Sequence, residues 1–263
     1  MVAMNDRIKS WAEKYVPKFN ELSKKYHTTY YTQSPLNVVG EDVETMIIGI
    51  NPKGCPGGGE TVLGSADDYL KGNSTWEKRF LDDGTINPDW RKFLSGAHTF
   101  LGYDHFYHPE SIDNDQRTVW TNLTPFVSEN GNNDSPKELM IEGVKSILEL
   151  IDIIKPKYIV LLGVDAFKQL KNNSDESDSF IEYTHVFSNR KAQIGRIFNI
   201  PTVCVAHPSR QWEVSNKFIS VFIFLHRMSE ITNKRNKMFP LSVVADNMRK
   251  EMRLWQERYL FSQ

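Results

Sequence analysis

Residues 44–59 read ETMIIGINPKGCPGGG, an apolar run that passes directly into a segment dense in proline and glycine. The apolar residues at positions 46, 47, 48 and 50 do not alternate with polar ones, a pattern typical of a strand buried on both faces of a parallel sheet. Proline and glycine at the density of residues 52–59 can neither continue a strand nor begin a long helix. We therefore predict a buried strand over Glu44–Ile50 that ends in a loop.

The same succession of strand, loop and helix recurs along the chain. Further strands are predicted at Val119–Leu123, Lys157–Leu162, Tyr183–Phe187 and Pro201–Ala206. Helices are predicted over residues 7–26, 137–154 and 163–171, and the first carries apolar residues at helical spacing, namely Ile8, Trp11, Tyr15, Phe19 and Leu22. Because strands alternate with helices, we expect an α/β fold of three layers (α/β/α) with a mostly parallel central sheet of about four strands.

The composition limits the possible domain organisation and classes of function. The chain has 263 residues with 32 Lys and Arg against 33 Asp and Glu, so its net charge of −1 argues against indiscriminate binding of polyanions. A nucleic-acid partner would need a local basic face. We expect one domain over residues 1–263, with an N-terminal helical extension over about 1–40 and C-terminal helices over about 213–260.

Cysteine content and hydropathy bear on the location of the protein and on metals. Cys55 and Cys204, the only cysteines, are too few for an iron–sulfur cluster or a four-cysteine zinc site. The longest dense apolar run, Phe218–Leu225, is shorter than the roughly 20 residues of a membrane-spanning helix. The polar N-terminus has no apolar signal region. We therefore expect a reduced, cytoplasmic protein that does not associate with membranes.

Polar residues stand at the ends of three of the predicted strands, where ligands of parallel sheets bind. Asn51 follows the first strand. Its side-chain carbonyl could hold and orient a water molecule, or the residue could simply form a turn before Pro52. Asn122 offers both a donor and an acceptor, which suits the edge of a nucleobase, or it could be a buried amide bonded to the backbone.

The third strand end carries an imidazole followed by a turn. His207 could donate a hydrogen bond to negative charge developing on a leaving group, or it could be a structural histidine. Pro208 and Ser209 form a tight turn whose hydroxyl and backbone N–H could hold a phosphate. Arg210 could contact a phosphate or enter a groove, or it could be solvated.

Taken in order, these residues resemble the motifs of the uracil-DNA glycosylase superfamily. Residues 49–52, Gly-Ile-Asn-Pro, look like the first motif of the family in the form of its mismatch-specific branch. Residues 207–209, His-Pro-Ser, look like the second motif, although Arg210 stands where the family usually has proline. Asn122 lies where the family places the asparagine that binds uracil. The resemblance spans roughly residues 44–212.

The resemblance implies a DNA glycosylase of base-excision repair, which flips a nucleotide out of DNA and hydrolyses the N-glycosidic bond of uracil or a related damaged base. By resemblance, Asn122 would bind the base edge, His207 would stabilise the departing base anion and Asn51 would position the attacking water. No metal or other cofactor is implied, the partner is DNA that contains uracil or a damaged base, and we expect a monomer.

Further residues receive roles by the same resemblance. Substrate binding would involve Gly49, Ile50 and Pro52, together with Tyr69 as the aromatic ring that stacks on the flipped base. DNA binding would involve Pro208, Ser209, Arg210 and Gln211. One alternative is a catalytically inactive protein of this fold that binds nucleic acid or a nucleotide. Another is a hydrolase of small nucleoside-like substrates.

Overall fold

A six-stranded mixed sheet forms the centre of the computed structural model. The structure describes residues 3–52, 64–72, 83, 118–127, 135–163, 165–173, 181–185, 190–207, 222 and 250. The described helices are α1 (Met4–Tyr26), α2 (Ala66–Leu70), α3 (Lys137–Ile154) and α4 (Ala166–Asn173). The strands are β1 (Thr45–Gly49), β2 (Thr118–Asn122), β3 (Tyr158–Leu162), β4 (Ile181–His185), β5 (Arg190–Ile197) and β6 (Ile200–Val205).

The strand order in the sheet is β2-β1-β3-β6-β5-β4. The first four strands of this order are parallel, whereas β5 pairs antiparallel with both β6 and β4. The predicted α/β class is confirmed, but the expected count of about four strands is wrong. The strand that was not predicted is β5, on the antiparallel side of the sheet, where Ala192 and Ile194 are buried on either side of the polar Gln193. This alternation is typical of an antiparallel strand, and we predicted no strand over residues 190–197.

The direction of the chain through the sheet reverses next to β1. From β1 the chain leads to β2 at one edge, whereas from β3 it leads to β4, β5 and β6 on the other side. The carboxyl ends of β1 and β3 therefore flank a topological switch point, which is where open α/β sheets form their ligand crevices.

Helix α1 packs with its predicted apolar stripe inward. All five residues of that stripe are buried: Ile8, Trp11, Tyr15, Phe19 and Leu22. They belong to one core cluster that also includes residues of α2, α3 and α4 and one face of the sheet, for example Met46, Ile48 and Leu161. Side chains of the opposite sheet face, such as Ile47 and Val160, are buried too, so both faces of the sheet are covered.

Polar contacts hold α1 against α3. The indole N–H of Trp11 donates to the backbone carbonyl of Ser146 at 2.8 Å. Glu149 accepts hydrogen bonds from Lys14 and Tyr15, at 2.5 and 2.7 Å. Glu138 is bonded in the same way, by Lys25 at 2.5 Å and Tyr26 at 2.6 Å. Two carboxylates on α3 therefore each accept hydrogen bonds from a lysine and the tyrosine that follows it in α1.

Acid should weaken this contact between the helices. Hydrogen bonds from Lys25 and Tyr26 lower the pKa of Glu138 below its ordinary 4.5. Burial raises the pKa of Glu149, but hydrogen bonds from Lys14 and Tyr15 lower it by more, so the net shift is again downward. A pKa that is lower in the folded state gives stability above pH 4.5, and this stability is lost as the pH falls through the folded value.

We therefore expect the double variant Glu138→Gln/Glu149→Gln to have a lower free energy of unfolding than the wild type at pH 7. At about pH 3.5 this difference should be smaller. Urea unfolding at both pH values measures it. Glu13→Gln, at an exposed position of α1, is the control. A difference that is the same at both pH values would contradict the ionic role of these two carboxylates.

The remaining predictions about the fold have different outcomes. Of the expected C-terminal helices over about 213–260, the structure describes only Phe222 and Lys250, so that prediction lies outside the described residues. The N-terminal helix begins at Met4, three residues before the predicted start. Among the described helices, none combines the length and the apolar character that crossing a membrane requires.

Candidate functional site

The carboxyl ends of the four parallel strands lie together at one edge of the sheet. Across the sheet, this edge presents Asn122 at the end of β2, Asn51 two residues beyond β1 and His207 two residues beyond β6. Strand β3, which ends at Leu162, lies between β1 and β6. The three polar residues selected from the sequence therefore share the edge that contains the switch point.

The closest contact at this edge joins β1 and β2. Gly49 pairs in register with Asn122, and a Cβ atom built on Gly49 would lie 2.4 Å from Oδ1 of Asn122. No side chain at position 49 can be accommodated at that separation without moving the amide. Gly49 is therefore the residue that lets the Asn122 side chain lie directly over the end of β1.

The backbone beyond Asn122 is fastened to the end of β1. The N–H of Leu123 donates to the carbonyl of Gly49 at 2.8 Å, and the N–H of Thr124 donates to that of Ile50 at 3.1 Å. Helix α3 supports this segment, because its Gly143 approaches Thr124 so closely that a Cβ would lie 2.5 Å from the Thr124 Cα. The position of Asn122 is thus set by both β1 and α3.

Gln33 is a site residue that we did not predict from the sequence. The Asn122 side-chain N–H donates to Oε1 of Gln33 at 2.6 Å, across a sequence separation of 89 residues. The two side chains are only 5% and 8% exposed. No sequence motif identifies Gln33 as a site residue. It reaches Asn122 only because residues 29–34 lie along the outer edge of β2.

Asn51 is half-buried and turns part of its amide toward its own loop. Its Nδ2 donates to the carbonyl oxygen of Pro52 at 3.3 Å. Among the described residues, the Asn51 side chain has no other hydrogen-bond partner. This contact fits the turn-forming alternative, and it also leaves Oδ1 as the atom that could hold a water molecule.

His207 is half-buried at the end of β6, where the backbone is tied to β3. The N–H of Gly163, the residue after β3, donates to the carbonyl of Val205 at 2.7 Å. Gly163 has φ +118, a conformation that favours glycine, and a Cβ there would meet the Ile50 side chain at 2.9 Å. The ends of β1, β3 and β6 are therefore packed tightly beside one another.

Cys204 lies next to this edge but is unsuited to nucleophilic chemistry. It is fully buried, and its Sγ bonds the carbonyl of Gly163 at 3.1 Å. Burial raises the pKa of the thiol to about 12. The thiolate is the reactive form of cysteine, so this side chain is inert at neutral pH.

Tyr69 lies in the core cluster rather than at an open surface. Its ring is 6.1, 5.8 and 5.7 Å from those of Trp11, Phe19 and Tyr30. It is 9% exposed, and burial raises the pKa of its hydroxyl. These contacts favour a packing role for Tyr69, and its stacking on a flipped base stays a prediction without support from the geometry.

The DNA-binding residues predicted from the second motif lie outside the described residues: Pro208, Ser209, Arg210 and Gln211. Within the part of the chain that the structure describes, no group of three or more His, Cys, Asp or Glu is placed to hold a metal ion. Neither protein-family models nor curated proteins have a significant match to this chain. The geometry of this edge and the resemblance of the motifs are therefore what indicate a function.

Proposed function

We propose that this protein is a DNA glycosylase that hydrolyses the N-glycosidic bond of uracil or a related damaged base. The proposed active site is the crevice at the carboxyl ends of β2, β1, β3 and β6. The observation that carries the proposal is the Asn122 amide, which is buried and held over Gly49 at the end of β1, one of the two strands that flank the switch point. A fixed amide with one donor group and one acceptor group is suited to the edge of a nucleobase.

The spacing of the strands supports a pyrimidine between the polar groups. Adjacent strands are about 4.8 Å apart, so β1 and β6, with β3 between them, are separated by roughly 10 Å. That gap is about the width of a pyrimidine ring plus a hydrogen bond on either side. A base that enters the crevice could therefore reach Asn51 and His207 at the same time.

The proposed reaction breaks the bond between C1′ of the deoxyribose and N1 of the base. The bonding electrons leave with the base, whose anion His207 would stabilise by donating a hydrogen bond. A water held by Oδ1 of Asn51 would add to C1′, and its released proton would finally neutralise the base. Because the leaving base can carry the negative charge, the reaction requires no carboxylic acid of the kind that glycoside hydrolases use.

A strand-cleavage assay tests the proposal. Single- and double-stranded oligonucleotides with one uracil are incubated with the protein and then treated with alkali, which cuts at abasic sites. We expect cleavage with the wild type, and a rate lowered about 10²- to 10³-fold by His207→Ala, because removing a donor that stabilises developing charge has effects of that size. Asn51→Ala should also slow the reaction strongly.

Two matched substitutions serve as controls. Asn37→Ala and His27→Asn replace the same residue types at exposed positions and should leave cleavage unchanged. Tight binding of the oligonucleotides without abasic sites would instead favour an inactive nucleic-acid-binding protein of this fold. Neither binding nor cleavage would overturn the DNA-directed function and favour a hydrolase of small nucleosides.

A further inference from the structure

The amide of Asn122 has two chemically different ends, and which end faces the crevice decides which base it can bind. In the structure Nδ2 is bonded to Gln33, and Oδ1 lies over Gly49. An oxygen in that place accepts a hydrogen bond from a ring N–H, such as the imide of uracil. A rotated amide would present its NH₂ group instead, which suits the unprotonated ring nitrogen of cytosine.

The backbone on either side of Gln33 is held in place independently of Asn122. The next residue, Ser34, donates its backbone N–H to the carbonyl of Trp120 at 3.0 Å, and its hydroxyl accepts from the N–H of Trp120 at 2.9 Å. On the other side, the N–H of Tyr31 donates to the carbonyl of Pro125 at 3.0 Å. The segment that carries Gln33 is thus bonded to the β2 region both before and after it.

Burial makes the pairing of the two amides strongly directional. Both residues are more than nine-tenths buried. A buried amide group without a hydrogen-bond partner costs folding free energy. With Oε1 of Gln33 facing Asn122, only the orientation with Nδ2 toward Gln33 satisfies both atoms. The rotated orientation would bring two oxygens together.

We propose that Gln33 is a positioning residue that selects bases with an imide N–H, such as uracil, over cytosine by holding the Asn122 amide in one orientation. This inference rests on the proposed glycosylase function. Gln33 itself does not need to touch the base, because it acts through Asn122.

The test compares binding and excision of two bases by variants at position 33. Oligonucleotides with a non-hydrolysable 2′-fluoro deoxyuridine or deoxycytidine give the binding ratio, and the natural nucleotides give the ratio of excision rates. Gln33→Met keeps the side-chain length but removes the acceptor. We expect it to lower the preference for uracil about tenfold, the effect of losing one well-placed hydrogen bond.

Glutamate at position 33 provides the rescue. A carboxylate offers only acceptor oxygens, so Gln33→Glu retains the partner of Nδ2 and excludes a joint rotation of both amides. We expect its preference for uracil to stay within about twofold of the wild type. If Gln33→Met does not fold, Gln33→Leu removes the acceptor in a second way. Gln169→Met, in α4, is the matched control substitution.

The outcomes separate this inference from the proposed function. A preference lost in Gln33→Met or Gln33→Leu and kept in Gln33→Glu supports it. A wild type that prefers uracil, with the same preference in all the variants, overturns the role of Gln33 and leaves the glycosylase function standing. A wild type that neither binds nor excises uracil overturns both.

Discussion

Replacing Gly49 by alanine is expected to lower the proposed uracil excision by about 5- to 150-fold, because one good amide contact to a base edge contributes about 1–3 kcal/mol. The new methyl group would lie 2.4 Å from Oδ1 of Asn122, a distance that real Cβ contacts essentially never show. Because β1 and β2 are paired in register at this point, the strands cannot separate locally, and the amide must move instead. Steady-state cleavage of a uracil oligonucleotide measures the effect.

A double-mutant cycle distinguishes a displaced amide from a general loss of structure. Gly49→Ala and Asn122→Gly remove the same contact, so their effects on excision should not add. The double variant should be more stable than Gly49→Ala alone, because removing the amide relieves the clash, yet it should remain as inactive. Full excision by Gly49→Ala would show that Asn122 does not bind the base from this position.

The second large effect is expected at Gly143, where alanine should destabilise the fold by about 1–3 kcal/mol. Alanine in a helix is ordinarily about 1 kcal/mol more favourable than glycine, so helix propensity alone predicts the opposite sign. Here the Cβ would lie 2.5 Å from the Cα of Thr124 and 2.7 Å from the carbonyl oxygen of Leu123. These are backbone atoms, which cannot rotate away as a flexible side chain can.

Urea unfolding of Gly143→Ala measures the loss of stability. Lys145→Ala, at an exposed position of the same helix, is the control, and its free energy of unfolding should stay within about 0.5 kcal/mol of the wild type. The displaced segment carries the N–H groups that bond the end of β1. Excision should therefore fall as well, even under conditions in which the variant is folded. A variant as stable as the wild type would mean that α3 can shift away from β2 without cost.

Both predictions concern the short backbone segment from Asn122 to Thr124. Its backbone N–H groups donate to β1, α3 packs closely against it, and the Asn122 side chain donates to Gln33. The Asn122 side chain is bonded to Gln33, its backbone is held by β1 and α3, and it is buried, so water does not stabilise other orientations. Such preorganisation is what a group needs if it is to discriminate between bases.

Much of the fold was predictable because its signals are local. The buried strand over 44–50 and the helix over 137–154 follow from runs of apolar residues and their period, and the structure places β1 and α3 within or at those bounds. Strand β5 was missed because its alternating pattern includes glycine and several charged or polar residues, which also suits a solvated hairpin.

The residues of the candidate site also differ in how well the sequence predicts their place. Asn51, Asn122 and His207 stand out in the sequence because each follows or ends a buried strand. Tyr69, assigned to base stacking by the resemblance, is packed among three aromatic rings, so its stacking role stays a prediction.

The amino-acid sequence by itself determined the α/β class, the buried strands and the polar residues at their carboxyl ends, because spacing and polarity along the chain carry that information. Only the tertiary structure decided that Gly49 makes room for the Asn122 amide and that Gln33 accepts a hydrogen bond from it. These contacts join residues 73 and 89 positions apart, and they depend on the pairing of β1 with β2 and on the segment beside it, which no local pattern records.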